Sequence, residues 1–157
     1  MTLRRRPLLA LPLPAMAMPA LALLPGCGTM FARRVAVRRI AIAVAPGAND
    51  NTPIALDLVH VSDRPPLAGE IGALAAADWF ERRSQYQRDW ARDLEVRSWE
   101  VVPGQVLPEE RLPAPRVSSD AFVFALYRRP GAHRTRLASG GRLLVRLGAE
   151  EMQVEEA

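Results

Sequence analysis

The alternation of apolar and polar positions along the chain predicts a succession of short β-strands. Between residues 35 and 44, Ile40, Ile42 and Val44 fall on one face, as in a strand with one buried face and β-branched side chains. The same alternation returns over 54–61. The intervening loop, 46–53, is rich in proline, glycine and asparagine. We therefore expect the two strands to form an antiparallel pair joined by that loop.

Further strands are predicted in the second half of the chain. Residues 122–126 form the most apolar segment outside the N-terminus and predict a strand at the centre of a sheet. Four prolines between 103 and 119 predict a long irregular connection instead of a strand. The other predicted strands cover 94–102, 133–137, 143–147 and an edge strand containing Met152 and Val154.

Helical spacing interrupts the strand pattern over 67–93. A stronger helix is expected from Asp78, which forms a capping box with Glu81, and an aromatic stripe then runs from Trp79 to Trp90 at helical intervals. Many short strands with one helical segment indicate a mainly β fold. We therefore predict one domain, residues 35–157, folded as an antiparallel β-sandwich with a helical insertion.

The N-terminal segment has the features of a secretory signal peptide. Residues 1–26 place three arginines before an apolar stretch and end in small residues, and several prolines make that stretch a poor membrane-spanning helix. Cys27, the single cysteine of the chain, follows at once and resembles the lipobox cysteine of bacterial lipoproteins. A lipidated Cys27 would leave 27–34 as a short tether. A cleaved signal without lipid and a buried structural cysteine are the alternatives.

Composition and motifs argue against several functional classes. The net charge of +4 owes much to the three signal-peptide arginines, so the remainder is close to neutral and nucleic acid is not an expected partner. Histidine pairs with metal-ligand spacing, a nucleophile elbow and a phosphate-binding loop are all missing from the sequence. His60 is expected in the core, and Asp57 lies in mid-strand and suits calcium poorly. We predict neither enzyme activity nor a metal, cofactor or small-molecule substrate.

Two features remain as candidate contacts with another protein. The first is the loop carrying Asn49, Asp50 and Asn51, because loops held by a rigid sandwich often carry recognition; a plain polar turn is the alternative. The second is the aromatic stripe, in which Trp79 and Phe80 would anchor a partner if exposed. The stripe would otherwise seat the helix on the sandwich, which is the favoured interpretation.

The order of these features resembles a known family. A lipobox cysteine precedes a strand, an asparagine-containing loop, the strand PIALDLVHV, a helix with Asp-Trp-Phe and a late strand FVFALYR. This order is similar to that of TssJ, the outer-membrane lipoprotein family of the type VI secretion system. The resemblance covers about residues 27–147 and implies a transthyretin-like β-sandwich with a helical insertion.

The resemblance also implies a location and a partner. The protein would be held by acyl chains on Cys27 in the periplasmic face of the outer membrane, and Gly28 after the cysteine fits that destination. It would bind the periplasmic part of TssM, an inner-membrane secretion protein, through the loop containing Asn49, Asp50 and Asn51. Two other functions are open: a periplasmic lipoprotein that binds a small apolar ligand or peptide between helix and sheet, and a pilotin-like assembly factor.

Overall fold

The computed structural model describes residues 34–117 and 119–157, which form three layers: two β-sheets and a pair of helices. Within this part of the chain there are eight strands and three helical segments. Their order is β1 (Val37–Val44), α1 (Ala48–Asn51), β2 (Ile54–Val61), α2 (Pro65–Ala73), α3 (Ala76–Asp89), β3 (Leu94–Val101), β4 (Val106–Arg111), β5 (Asp120–Leu126), β6 (Arg134–Arg136), β7 (Gly141–Leu147) and β8 (Met152–Glu156).

The strands form two four-stranded sheets that pack face to face. The first sheet has the order β4-β1-β7-β8 and the second the order β3-β2-β5-β6. All pairs are antiparallel except β1 with β7, which run parallel. The predicted mainly β sandwich with a helical insertion is confirmed.

The predicted pairing of the first two strands is wrong. β1 pairs with β4 and β7, and β2 pairs with β3 and β5, so the 45–53 connection crosses from one sheet to the other. Period-two alternation shows which face of a strand is buried, and both strands have that signal. It carries no information about which strand lies alongside, and a turn-rich loop joins strands of different sheets as readily as strands of one.

The main core lies between the two sheets. It is built from alternate residues of the central strands, among them Ile40 and Ile42 of β1, Leu56 and Leu58 of β2 and Val145 of β7. His60 belongs to the same face of β2 and is fully buried, as predicted. The 122–126 segment is confirmed as an interior strand, since β5 lies between β2 and β6.

A second core joins the outer face of the β3-β2-β5-β6 sheet to α2 and α3. Val59 and Val61 of β2 meet Ile71 of α2 and Trp79 of α3 there, with Phe124 of β5 beside them. β2 is therefore covered on both faces, which explains why seven of its eight residues, all but Ala55, are buried. The helices form the third layer.

Two local predictions are corrected by the structure. α3 begins at Ala76, with Ala75 in the capping position and no side-chain cap, because the burial of Ala76 and Trp79 against the sheet decides where the helix starts. Residues 106–111, predicted as irregular, form the edge strand β4. Its Pro108 is tolerated because an edge strand is bonded on one side only, and its residues are mostly exposed, so no apolar alternation marks it.

Candidate partner-binding site

Four connections meet at one end of the sandwich, which we call the loop pole. They are residues 45–53, 102–105, 127–133 and 148–151. The Ala45 N–H donates to the Leu147 carbonyl at 2.8 Å, and the Ala45 carbonyl accepts from Gly104 at 3.3 Å. The 45–53 connection is therefore tied to the turns on either side, and the loop pole is one continuous surface.

At the tip of the 45–53 connection the backbone makes a left-handed turn. The φ angles are 75° at Gly47, 52° at Asn49, 53° at Asp50 and 58° at Asn51. For a residue with a Cβ this conformation costs roughly 1–2 kcal/mol, and asparagine and aspartate tolerate it best. Three consecutive non-glycine residues in this region are unusual, and backbone strain of this kind clusters at functional sites.

Asn49 holds the turn in place from inside. Its side chain is 4 % exposed; the amide nitrogen donates to the Pro53 carbonyl at 3.0 Å, and the amide oxygen accepts from the Arg128 N–H at 2.6 Å. Its own backbone N–H donates to the carbonyl of Ala149 at 3.0 Å. Asn49 thus links three connections of the loop pole. Both the nitrogen and the oxygen of its side-chain amide take part in these bonds.

Asp50 and Asn51, in contrast, are exposed at the tip of the turn. Asn49 therefore positions the turn, and its two neighbours present their side chains to solvent. The turn projects a carboxylate and an amide from a fixed backbone. The contact of these residues with a partner stays a prediction.

Tyr127 closes the other side of the loop pole. Its hydroxyl donates to the carbonyls of Glu151 at 2.9 Å and Gly148 at 3.2 Å, and its ring stacks on His133 with centroids 4.7 Å apart. Burial, with Glu151 nearby, raises the pKa of Tyr127 to about 12. The hydroxyl therefore stays protonated at any physiological pH and acts as a structural clamp.

A shallow open cleft of about 850 Å³ runs beside the loop pole, between Arg129, His133 and the end of β7. Its two arginines are paired with carboxylates: Arg129 with Glu150, and Arg146 with Glu155. No group of three or more His, Cys, Asp or Glu side chains in the described ranges is arranged to hold a metal ion.

The two aromatic candidates have different environments. Trp79 is fully buried and stacks on Phe124 with ring centroids 5.2 Å apart, so it seats α3 on the sheet and offers no surface to a partner. Phe80 is half-buried, with the Arg83 guanidinium 5.1 Å from its ring centre. α3 begins beside the loop pole, because the Ala76 N–H donates to Ala132 O at 2.9 Å. Phe80 therefore lies one helical turn from that surface.

Sequence reasoning missed the role of Asp57. This carboxylate is fully buried on the helix-facing side of β2, where it accepts from the Trp79 indole N–H at 2.9 Å and from Arg83 at 3.2 Å. The sequence does contain a signal for this role: Asp57 lies in the middle of a strand with apolar residues on both sides. A charged side chain in such a place needs hydrogen-bonding partners. Asp57 is a structural lock between sheet and helix and not a calcium ligand.

Comparison with known proteins identifies the fold. No protein-family model matches the sequence, and neither does any curated protein. Among solved structures, the T6SS lipoprotein TssJ1 from Pseudomonas aeruginosa aligns with 79 % of this chain and 98 % of its own, with 21 % identity and a TM-score of 0.55. Lip from Serratia marcescens, a membrane-bound component of the type VI secretion system, aligns over the same shares with 12 % identity and a TM-score of 0.56.

This chain has the TssJ fold. The likeness spans nearly the whole of both solved proteins, as the order of sequence features predicted. The signal peptide, Cys27 and most of the tether lie outside the described residues, and their roles stay predictions. Within the described part, no helix is both long enough and apolar enough to span a membrane.

Proposed function

We propose that this protein is a lipid-anchored structural subunit of a type VI secretion envelope complex, with TssJ as its family. The observation that carries the proposal is the fold, because the two solved proteins compared above share it and belong to that secretion system, one as a lipoprotein and one as a membrane-bound component. A lipobox-like Cys27 after a signal-like segment supports the anchor.

The loop pole is the proposed surface for the periplasmic part of a TssM-like inner-membrane protein. β1 runs from Val37, next to the tether, to Val44, next to the loop pole, and eight residues at about 3.3 Å each span roughly 25 Å. A domain held at its tether end by lipid would thus present Asp50 and Asn51 away from the outer membrane. That is the side from which an inner-membrane partner approaches.

The packing of Trp79 argues against the ligand-binding alternative. That alternative needs a cavity between helix and sheet lined by residues of the aromatic stripe, Trp79, Tyr86 and Trp90. In the described structure, Trp79 is fully buried and stacks on Tyr86 and Phe124. Trp79 therefore fills the space between α3 and the sheet, whereas Tyr86 and Trp90 border a small surface pocket of about 350 Å³. A pilotin-like assembly factor shares the anchor with the proposed function and differs only in its partner, so capture of the partner separates the two.

The anchor is tested by intact mass and membrane fractionation of the wild-type protein beside Cys27→Ser. We expect a wild-type species that starts at Cys27, carries acyl mass and fractionates with the outer membrane, and a Cys27→Ser protein that is released from membranes and does not support secretion. Gly28→Asp is the matched control, which should keep the lipid and shift to the inner membrane. A wild-type protein without acyl mass would overturn the anchor.

A further inference from the structure

A row of three arginines crosses the outer face of the β4-β1-β7-β8 sheet. Arg39 of β1 lies in register with Arg111 of β4 on one side and with Arg142 of β7 on the other. Neighbouring strands are about 4.8 Å apart, and like charges directly opposite each other destabilise a sheet. Such a row lowers the stability of the fold unless an anion lies against it.

The described part of the protein supplies one carboxylate to this row. Glu109 lies 3.7 Å from Arg39 and 2.5 Å from Arg142, and both arginine side chains are still half exposed, at 53 % and 50 %. Arg111 forms no ion pair with any described residue. Three positive charges are thus set against one negative charge, and their guanidinium groups are accessible from solvent.

A β-bulge adds a fourth arginine. The register with β7 passes from Val37 opposite Gly141 to Arg39 opposite Arg142, so Arg38 is the extra residue and both it and Arg39 point to solvent. Strict alternation would have turned one of them inward, and re-aiming side chains is what bulges do. Arg34, just before the strand, is also exposed. Neither Arg34 nor Arg38 has an ion pair among the described residues.

These five residues, the arginine cluster (Arg34, Arg38, Arg39, Arg111 and Arg142), lie at the tether end of the sandwich. The predicted tether, 27–34, spans at most roughly 28 Å when extended, so a domain anchored through Cys27 would keep the cluster within reach of the membrane surface. The outer sheet face beyond the cluster also carries the exposed ion pair of Arg146 with Glu155. The cluster therefore meets a membrane at the tether end of the sandwich and not across the whole sheet face.

We propose that the arginine cluster binds the phosphate headgroups of anionic lipids and so orients the sandwich on the membrane with its loop pole pointing away. The planar guanidinium fork matches phosphate oxygens in a bidentate manner, and basic residues near an anionic membrane each contribute about 1 kcal/mol. Only the orientation rests on the proposed lipid anchor. Lipid binding by the cluster is a property of the folded domain.

The test uses residues 27–157 carrying Cys27→Ser, which removes both acyl-chain insertion and the apolar segment before Cys27 from the measurement. Its partition is measured on vesicles of equal parts phosphatidylglycerol and phosphatidylcholine and on vesicles of phosphatidylcholine alone. We expect binding to the anionic vesicles that weakens with added salt and little binding to the neutral ones. Phosphate and chloride salts at equal ionic strength should weaken it equally, since the cluster recognises a surface and not a free phosphate ion.

Arg34, Arg38 and Arg111 are the residues to replace, because none of them forms an ion pair in the described structure and the fold should survive their change to Gln. This triple variant should lower the partition coefficient on the order of 100-fold. The matched control replaces Arg82, Arg88 and Arg92, which are exposed on the helical layer, with Gln and should change it less than about twofold. An unchanged unfolding midpoint in both variants shows that the sandwich is intact.

Three results would overturn the proposal: no binding to anionic vesicles, equal binding to both kinds of vesicle, or an equal loss in the test and control variants. None of them bears on the lipid at Cys27 or on the partner at the loop pole, which are measured separately by mass and by partner affinity. Failure of the arginine cluster is therefore distinguishable from failure of the proposed function.

Discussion

At the scale of single residues, two buried polar side chains set conditions on the fold. Asp57 holds α3 to β2 through Trp79 and Arg83. His60 lies in the core between the sheets, where its Nε2 accepts from the Val37 N–H at 3.4 Å. The proton of the neutral ring is then on Nδ1, which has no hydrogen-bond partner in the described structure. Replacing either residue is therefore expected to change the free energy of unfolding.

Replacing Asp57 should weaken the attachment of the helical layer. Asp57→Ala leaves the indole N–H of Trp79 and the Arg83 guanidinium without their acceptor, so we expect the free energy of unfolding in urea to fall by about 3 kcal/mol. The exposed Asp63 provides the control, because Asp63→Ala removes the same charge without these bonds and should stay within about 0.5 kcal/mol of wild type. Equal effects of the two substitutions would show that Asp57 is not a lock.

His60 makes stability depend on pH. Burial lowers its pKa from 6.5 to about 4, so the folded state keeps the ring neutral while the unfolded chain takes up a proton as the pH falls below 6.5. The stability that this histidine contributes is present above pH 6.5 and is lost as the pH falls toward 4, with about 2 kcal/mol gone at pH 5. Urea titrations at pH 7 and pH 5 measure this loss.

The control for the pH effect is His60→Gln, which retains a side-chain acceptor for Val37 and does not titrate. Its stability should change much less between pH 7 and pH 5 than that of the wild type. A wild-type slope that persists in His60→Gln would assign the effect to the carboxylates instead. The burial of His60 was predictable, because it falls at an alternate position among Leu56 and Leu58; its missing hydrogen-bond partner was not.

At the scale of elements, the sequence predicts the strands that show apolar alternation or a continuous apolar run. β1, β2, β7 and β8 appear where the alternation places them, and β5 appears at the apolar run. β4 could not be predicted in this way because it is an exposed edge strand. The separation of β1 and β2 into different sheets could not be predicted either, since strand pairing is decided by contacts distant in sequence.

The left-handed turn of the 45–53 connection could be predicted only in part. An Asn-Asp-Asn run tolerates positive φ better than other residues do, and the loop itself was expected. Which of the three side chains points inward depends on residues far away in the sequence. Asn49 is buried because Arg128, 79 residues later in the chain, offers it a backbone N–H. No local pattern contains that contact.

We predict that Asn49 is the residue that keeps this turn rigid. Asn49→Gly retains the backbone's freedom to adopt φ near 52° but removes both amide bonds, so it should lower the free energy of unfolding by about 2 kcal/mol. It should also speed hydrogen exchange at the Arg128 amide. Asn51→Gly, at an exposed position with φ of 58°, is the control and should do neither. A protected Arg128 amide in Asn49→Gly would contradict this role.

At the scale of the whole molecule, the sandwich has two ends with different chemistry. The tether end carries the arginine cluster, and the loop pole carries a fixed turn with an exposed carboxylate and amide. β1 connects the two ends directly. The sequence marks the tether end through Cys27 and its arginines, and the loop pole through turn-forming residues. Their separation across the molecule follows from strand topology, which the structure supplies.

The proposed function requires that the loop pole bind the periplasmic domain of the TssM-like inner-membrane protein from the same secretion system. Calorimetric titration of that purified domain into this protein is the most direct measurement. The matched variants are Asp50→Gly with Asn51→Gly, which removes both exposed side chains without forcing a new backbone conformation, and Gln87→Ala, an exposed change on α3. Circular dichroism checks that each variant is folded.

We predict that the wild-type protein and Gln87→Ala bind with equal affinity and that the loop variant binds at least about tenfold more weakly, as expected when contacts worth about 1.4 kcal/mol are lost. If the loop variant binds with wild-type affinity, the interface does not lie at the loop pole. No measurable binding by the wild-type protein would contradict the proposal that this chain is a partner-binding subunit of a type VI secretion envelope complex.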